Sequence, residues 1–472
     1  MVMRSESGFD EDVYRKVLVP NASRNTSYVQ LVNNSADLKA LCKKYVPFWS
    51  DLDDGEIEIS LITIALTNKV YMVRVQDPDP ASRRLDKVLL RVIGEDKRVL
   101  YNIEHQNEVF KLLSEYGFCP KMINQFPGGR IETWIEGFVL HSPNLFNLSV
   151  LTSVATLLAK LHKIITKVAP KEWDRTPSLL SKTEEWIPKC HEINRKLNLK
   201  IDIHEMDQLF NEYKLFLNNY LVQHNNSGNN NLEVRNCENS EKLREKKINA
   251  KVDRASQNKF STHNCCYHTN GTTHTVNTVN TVNSNNSNNT VDSNNSNDTV
   301  DSVGGVDEEL CEGVRYGMRV VFCHNDMHIK NFIATYDGLT LIDFDYSSFN
   351  YVGADIGYFF VESNFDYDVD EYPFFRIDRS LELSYELKTM FASVYLSESL
   401  GCNVLPSRKD IIDPFLESVE LFSIGTLIFW AYWGILMKSM SGTNDKFDYI
   451  EYTRLKIELF KEKFNEFKKH NT

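Results

Sequence analysis

The sequence predicts an α+β fold of two lobes, a β-rich N-terminal lobe and a mainly helical C-terminal lobe. Two observations favour this class. Runs of β-branched and aromatic residues are concentrated in 56–93 and return in 319–345. Apolar residues at helical spacing dominate the chain from 147 to 220 and again near its C-terminal end. We therefore predict an N-terminal lobe over residues 1–132 and a C-terminal lobe over 133–472.

The N-terminal lobe begins with a predicted helix over 36–49 and continues with three strands. The predicted strands are EIEISLITI, KVYMVRVQ and KVLLRVIG. IEHQNEVFKLLSEY has helical spacing, and GGRIETWIEG reads as a strand followed by the segment that connects the lobes.

An Asn-, Ser- and Thr-rich tract interrupts the C-terminal lobe at 223–305. It contains almost no large apolar residues, so it cannot bury enough surface to offset the entropy of ordering. We predict a disordered low-complexity insertion whose two ends lie close in space, because the fold must close across it.

Composition argues against several classes of partner. The chain of 472 residues has a net charge of −12 and no dense basic stripe, so nucleic acid is not an expected partner. Nine cysteines without a CxxC pair indicate reduced thiols and a cytoplasmic protein. The apolar stretch 421–437 contains Ser, Gly and Thr and is interpreted as a buried core helix rather than a stable membrane span.

Residues 319–345 carry the chemistry. RVVFC and LTLIDF read as strands, and Asp337-Gly338 forms a hairpin turn between NFIAT and LTLIDF. Asp326 and Asn331 lie on one loop, and Asp343 follows the hairpin. Phosphoryl transfer needs this set: one carboxylate to accept the proton of a hydroxyl, and an amide oxygen and a second carboxylate to hold Mg²⁺. Each residue alone would be an ordinary turn residue, but their order on strand ends favours the catalytic interpretation.

FCHNDMHIKN followed by LIDFDYSSFNYVGADIGYFF closely resembles the choline/ethanolamine kinases, and the resemblance covers most of 55–465. It implies a two-lobed protein-kinase-like fold. It also implies ATP- and Mg²⁺-dependent phosphorylation of the hydroxyl of choline, ethanolamine or both, the first step in making the corresponding phospholipids. The implied partner is a small amino alcohol, and family members are often homodimers.

The resemblance assigns the nucleotide side. It implies that Arg91 binds phosphate, as the strand lysine of protein kinases does. Thr67 and Asn68 would cover the phosphates, but Ile64-Ala65 stands just before this turn where relatives usually have Gly-Gly. Either Thr67 and Asn68 suffice, or nucleotide binding is weakened.

Two further nucleotide contacts are expected between the lobes. Glu108 either pairs with Arg91, as the helix glutamate of a kinase does, or is an ordinary exposed residue. The resemblance also implies that main-chain groups around Glu132 and Ile135 bind adenine.

The acceptor side is assigned by the resemblance together with cation–π chemistry. A quaternary ammonium binds well among aromatic rings beside an acid. Asp355 is expected to support the catalytic loop. Asp345 and His328 stand where relatives usually have Glu and Gln, so the choice between choline and ethanolamine as substrate stays open. The aromatic residues and the YPFF stretch favour choline. The expected acceptor-binding residues are Asp326, His328, Asp345, Glu362, Tyr367, Trp430, Trp433, Phe447 and Tyr452.

Three alternatives remain at this point. One is a kinase of another small alcohol, such as an aminoglycoside, which would not need the acid and the rings together. Another is a kinase-like binding protein with weakened catalysis, which Ile64-Ala65 alone favours. The third is a protein anchored in the membrane by 421–437.

Overall fold

The computed structural model describes residues 35–62, 69–78, 85–226, 313–441 and 446–471. These residues form a β-rich part followed by a mainly helical part, as predicted. The predicted boundary at 132/133 stays a prediction, but it falls beside the end of a strand at Thr133.

The β-rich part is one antiparallel sheet of five strands in the order β1-β2-β3-β5-β4. Helix α1 (Ser35–Tyr45) contributes Leu38, Leu41 and Cys42 to its core, beside the fully buried Trp49. Helix α2 (Ile103–Glu115) follows β3 in the chain. The strands are β1 (Ile57–Ile62), β2 (Lys69–Val75), β3 (Lys87–Val92), β4 (Met122–Phe126) and β5 (Gly129–Thr133).

A three-stranded sheet then begins in the segment after β5. Strand β6 (Phe138–Val139) pairs with β8 (Phe332–Thr335), which forms a hairpin with β9 (Gly338–Leu341). The hairpin turn includes Gly338 at φ +133, a backbone conformation that residues with a side chain rarely adopt. The predicted hairpin is therefore present, and it delivers the ends of its strands to the site.

A second pair of strands carries the loop that contains Asp326. β7 (Val320–Cys323) pairs with β10 (Ser348–Tyr351). The start of the β7–β8 loop therefore lies beside the end of the β9–β10 loop. Two shorter strands, β11 (Phe365–Asp366) and β12 (Arg376–Ile377), pair near the acceptor side.

The helical part is built around one long apolar helix, α9 (Lys409–Met440). It packs on α7 closely enough that a Cβ at Gly357 would lie 2.7 Å from the carbonyl oxygen of Val419. The helices that complete this part are α3 (Leu148–Val168), α4 (Ser178–Leu197), α5 (Ile203–Asn226), α6 (Gly313–Gly317), α7 (Val352–Glu362), α8 (Tyr385–Leu400) and α10 (Tyr449–Asn471).

Among the described residues, α3 and α9 are long and apolar enough to cross a membrane by length and composition alone. The apolar window of α9 is 94% buried inside the fold, as expected for a core helix. The burial of α9 thus follows the interpretation that the sequence favoured for 421–437.

The start of the predicted insertion needs a correction. Residues 223–226 continue helix α5, and the rest of the tract lies outside the described residues. The predicted closeness of its ends is visible, because Arg315 Nε donates a hydrogen bond of 3.1 Å to the carbonyl oxygen of His224. The helix and the segment after the tract are therefore direct neighbours.

Candidate active site

The catalytic loop is held by a buried carboxylate on helix α7. Asp355 accepts hydrogen bonds from the main-chain N–H groups of His324 (2.8 Å) and Asn325 (2.7 Å). His162 on α3 lies 3.0 Å from the same carboxylate and links it to the helical core. Asn325 has a left-handed backbone (φ 65), which a bulkier residue would rarely adopt. Two charge-assisted bonds to one loop therefore hold the position of the next residue, Asp326.

Three oxygen-bearing side chains converge beyond this loop. Asn331 Nδ2 donates to the main-chain oxygen of Asp326 at 2.9 Å and to its carboxylate at 3.3 Å. The carbonyl oxygen of Asn331 accepts from the N–H of Ile342, whose neighbour is Asp343. The β8–β9 hairpin thus brings Asn331 and Asp343 together although twelve positions separate them in the chain.

The electrostatics of these acids reflect their crowding. Burial, followed by the negative charges of Asp343 and Glu362, raises the pKa of Asp326 well above its ordinary value. Burial also raises the pKa of Asp343, and Arg91 opposes that rise. Two carboxylates that repel each other in a buried site provide a reason to bind a cation.

Arg91 joins the two lobes through a cluster of acids. Its guanidinium lies 3.3 Å from Glu132 Oε1, 3.3 Å from Asp343 Oδ1 and 3.5 Å from Asp345 Oδ2. Burial disfavours its charge, yet Asp343, Asp345 and Glu132 together raise the pKa of Arg91 above its ordinary value. Arg91 is therefore charged and directed at the end of the β8–β9 hairpin.

Of the two alternatives for Glu108, the structure shows the exposed residue and not the partner of Arg91. The Glu108 side chain is 70% exposed, and its ion-pair contact is with His105 at 3.9 Å. Glu132 takes the expected place instead, because β5 lies next to β3 in the sheet and presents its carboxylate to the buried guanidinium.

The position of Glu132 also changes its predicted role. It lies inside β5 with β3 on one side and β4 on the other, so its main chain belongs to the sheet rather than to a connecting segment. Ile135 does lie in the connecting segment between β5 and β6 and is half-buried. Thr67, Asn68 and the Ile64-Ala65 pair lie outside the described residues, so their predicted contacts stay predictions.

Sequence reasoning missed Arg130, the second buried arginine of this cluster. Its Nε lies 2.8 Å from Glu132 Oε1, and Nη2 lies 3.7 Å from Asp345 Oδ1. The guanidinium also stacks 4.1 Å from the ring of Phe110. The signal available in the sequence was an arginine inside the predicted strand GGRIET, next to Ile131.

Asp345 requires a correction as well. It was expected to border the acceptor, but its buried carboxylate faces Arg91, Arg130 and the hydroxyl of Tyr101, which donates at 3.3 Å. The structure therefore places Asp345 in the charged cluster at the lobe junction, where it can steady both arginines.

The acceptor-side acid, Glu362, is buried at the end of α7 with 1% of its surface exposed. Its Oε2 accepts a hydrogen bond of 2.8 Å from the hydroxyl of Tyr367 and lies 3.8 Å from His328 Nε2. Its Oε1 lies 2.6 Å from Nζ of Lys456, a residue for which the sequence raised no expectation. Burial lowers the pKa of His328 to about 4, so that ring is neutral near pH 7.

A continuous set of rings is joined to this acid through Tyr367. The ring of Phe447 lies 6.3 Å from Tyr367 and 5.7 Å from Tyr452, and Tyr452 lies 5.8 Å from Trp433. Trp433 Nε1 donates a hydrogen bond of 2.7 Å to the hydroxyl of Tyr346. Burial raises the pKa values of four tyrosines in and around this cluster, and the charge of Asp326 adds to each rise: Tyr346, Tyr358, Tyr367 and Tyr452.

Trp430 belongs to this cluster at one remove. It stacks on Tyr358 with ring centres 5.0 Å apart and touches Trp433 at the same distance. Trp430 also lines a cavity of about 330 Å³ whose walls include Asn325 and Tyr346 but neither Asp326 nor Glu362. Trp433 thus contacts Tyr452 directly, whereas Trp430 contacts the cluster through Trp433 and Tyr358.

Comparison with known proteins identifies the family of this chain. The family model of choline/ethanolamine kinase matches residues 59–240 and 229–461. A probable choline kinase 2 of Arabidopsis thaliana is 21% identical over 420 residues, which cover 87% of each chain. Choline kinase alpha of Mus musculus is 36% identical over a shorter match of 155 residues, 30% of this chain and 33% of that protein.

Solved structures agree on the fold. A choline kinase from Cryptosporidium parvum aligns over 93% of this chain and 97% of its own, with a TM-score of 0.64 and 23% identity. An ethanolamine kinase from Plasmodium vivax aligns over 98% of both chains, with a TM-score of 0.52 and 19% identity. These likenesses confirm the predicted two-lobed fold class.

Proposed function

Because the chain belongs to the choline/ethanolamine kinase family, we propose that it transfers the γ-phosphoryl group of ATP to the hydroxyl of choline, with ethanolamine as a weaker acceptor. The product would be an amino-alcohol phosphate for phospholipid synthesis. The observation that carries the proposal is a half-buried carboxylate, Asp326, held by Asn331 and adjoining a ring cluster that contains the buried acid Glu362.

Asp326 is the proposed catalytic base. It orients the acceptor hydroxyl and takes its proton as the oxygen attacks the γ-phosphorus, and the bond from that phosphorus to the bridging oxygen of ADP breaks. Asn331 restrains one side of the carboxylate, and Asp355 holds the loop from behind. The base is therefore already positioned before the substrates bind, which lowers the cost of reaching the reactive geometry.

Asn331 and Asp343 are the proposed Mg²⁺ ligands. Their amide and carboxylate oxygens are the donor types that Mg²⁺ prefers, and the Asp343 side chain keeps 28% of its surface exposed. Bound Mg²⁺ would supply positive charge against the charge of the phosphates. Arg91, already at the end of this hairpin, is the proposed phosphate contact, and Ile135 the proposed main-chain contact for adenine.

Choline is proposed as the preferred acceptor because of how Glu362 is already bonded. One oxygen has the ammonium of Lys456 and the other has the hydroxyl of Tyr367. A primary ammonium needs several hydrogen-bond acceptors to replace water, whereas a quaternary ammonium needs only charge and ring faces. Tyr367, Trp433, Phe447 and Tyr452 supply such faces.

The test is an assay of ADP release with Mg·ATP and purified protein against choline, ethanolamine and an aminoglycoside. We expect turnover with choline, a lower kcat/KM with ethanolamine and none with the aminoglycoside. A preference for ethanolamine would overturn the acceptor assignment, and a lack of turnover with both amino alcohols would overturn the activity.

We also propose that the protein acts in the cytoplasm. The cysteines that the structure describes are all free, and four of them are buried: Cys42, Cys119, Cys190 and Cys323. Unpaired thiols suit a reducing compartment. A homodimer remains a prediction from the family, for which size-exclusion chromatography with light scattering is the direct measurement.

A further inference from the structure

Lys456 is a buried cation inside the ring cluster of the acceptor side. It lies on α10, four positions after Tyr452, and is 0% exposed. Its ammonium nitrogen lies 3.7 Å from the centre of the Phe365 ring and 5.0 Å from that of Tyr452. The same nitrogen is 2.6 Å from Glu362 Oε1. The chain therefore provides a permanent partner for the acid that an acceptor cation would approach.

A lysine in this environment requires compensation. Removing an ammonium from water costs several kcal/mol, which a single close carboxylate and ring faces can offset in part. The compensation is mutual, because Glu362 is as deeply buried as Lys456 and its Oε1 lies 2.6 Å from the ammonium nitrogen. Removal of either side chain would leave the other buried without this partner.

We infer that Lys456 is a positioning residue of the acceptor site, which holds the carboxylate of Glu362 in place beside Tyr367 so that the ring wall has a defined shape before the acceptor arrives. This inference rests on the proposed function. Tyr367 links the pair to the rings, since its hydroxyl donates to Glu362 Oε2 and its ring faces Phe447. Loss of Lys456 would therefore weaken acceptor binding through Tyr367 and leave nucleotide binding unchanged.

The opposite role is a competitor that occupies the place of the acceptor cation and must leave. The surroundings favour positioning, because Lys456 is fully enclosed between Phe365, Tyr452 and Tyr358 and has its acid in direct contact. Other charged or titratable side chains also act on this pair, and they are the same in every variant proposed below: Asp326, His328, Tyr358, Tyr367 and Tyr452.

The experiment compares Lys456→Met, Lys456→Arg, Glu362→Gln and the double variant Lys456→Met/Glu362→Gln in the full chain. For Lys456→Met we expect the KM for choline to rise about tenfold, with the KM for ATP and kcat within twofold of wild type. Lys456→Arg should restore the KM for choline to within about threefold, because it keeps the charge beside Glu362. The double variant should be no worse than Glu362→Gln, because the lysine acts through the glutamate.

Several outcomes would overturn the inference. A fall in the KM for choline in Lys456→Met would identify a competitor, and multiplied effects in the double variant would mean that the residues act independently. Equal rises in both KM values would indicate a purely structural role. Circular dichroism checks that each variant folds. The double variant replaces the ion pair with neutral side chains of similar size, so it remains available for the test if Lys456→Met alone does not fold.

The inference can be separated from the proposed activity. If wild type turns over neither choline nor ethanolamine, the activity fails, and calorimetric titration of the same proteins with choline still tests the positioning role. We then expect Lys456→Met to weaken choline binding about tenfold and Lys456→Arg to retain it. Equal binding by wild type and Lys456→Met, or no binding by wild type, would overturn the inference.

Discussion

The proposed nucleotide side and the proposed acceptor side of the site both contain buried charged residues, but their charges are partnered differently. On the nucleotide side two arginines meet three carboxylates at 2.8 to 3.7 Å: Arg91, Arg130, Glu132, Asp343 and Asp345. On the acceptor side one carboxylate meets one ammonium at 2.6 Å, and Lys456 is 0% exposed.

This difference indicates which groups on each side remain available to a ligand. The nucleotide cluster has an excess of negative charge, longer contacts and a partly exposed Asp343, so it can exchange partners when a cation and phosphates arrive. The acceptor pair is closed, so recognition falls to ring faces and to the shape that the pair maintains. We therefore expect substitutions on the two sides to affect different kinetic constants.

The largest expected effect is at the predicted base, where the two sides meet. Asp326→Asn keeps the shape of the side chain but cannot accept the proton, so kcat should fall by about 10³-fold. The measurement is ADP release at saturating choline and Mg·ATP. Asp337→Asn, in the exposed hairpin turn, is the matched control. Wild-type turnover by Asp326→Asn would mean that the base lies elsewhere.

The next effect tests the corrected partner of Arg91. Glu132→Gln leaves two buried arginines short of one acid, and breaking such a pair should lower the free energy of unfolding by about 3 kcal/mol. Glu108→Gln is the control and should leave stability unchanged, because that side chain is exposed and makes no contact with Arg91. Urea unfolding of both variants is the measurement; the reverse order would restore the predicted pairing of Glu108.

A smaller effect should be confined to the acceptor side. Trp433→Leu removes a ring face beside Tyr452 and should raise the KM for choline about fivefold, in keeping with a cation–π contribution of about 1 kcal/mol. Trp433→Phe keeps a ring and should raise it by about threefold or less. Steady-state kinetics with each substrate varied in turn measures both; a change in the KM for ATP of the same size would contradict the separation of the two sides.

The smallest effect should come from the Asn-rich tract. The contact between Arg315 and His224 indicates that a short linker can join the helix to the segment after it. Replacing residues 229–305 with a short Gly-Ser linker should leave kcat and both KM values within twofold of wild type. A loss of turnover in a folded variant, verified by circular dichroism, would assign the tract a role in the reaction.

Much of the site could be predicted because its signals are local in the chain. Asp326 and Asn331 share one loop, and Asp343 follows a hairpin whose turn Asp337-Gly338 predicts. The positions of these residues at strand ends were therefore enough to predict that they lie near one another. The long helix with both tryptophans was readable from its apolar length.

The corrections share one cause, which is that ion pairs between distant elements have no local signal. Arg91 and Asp343 are 252 positions apart, and Lys456 and Glu362 are 94 apart. Glu108 has the position expected of a kinase helix glutamate, but β5 packs beside β3 and places Glu132 next to Arg91 instead.

The sequence by itself therefore determined the chemistry: which acids and amide stand at strand ends, that the rings are numerous, and that the fold has two lobes. Only the tertiary structure decided how the charges pair. Burial removes water from a charged group, so the group needs a nearby opposite charge to offset the lost hydration. It is this pairing that turns Asp345 toward the arginines and assigns Glu362 to Lys456.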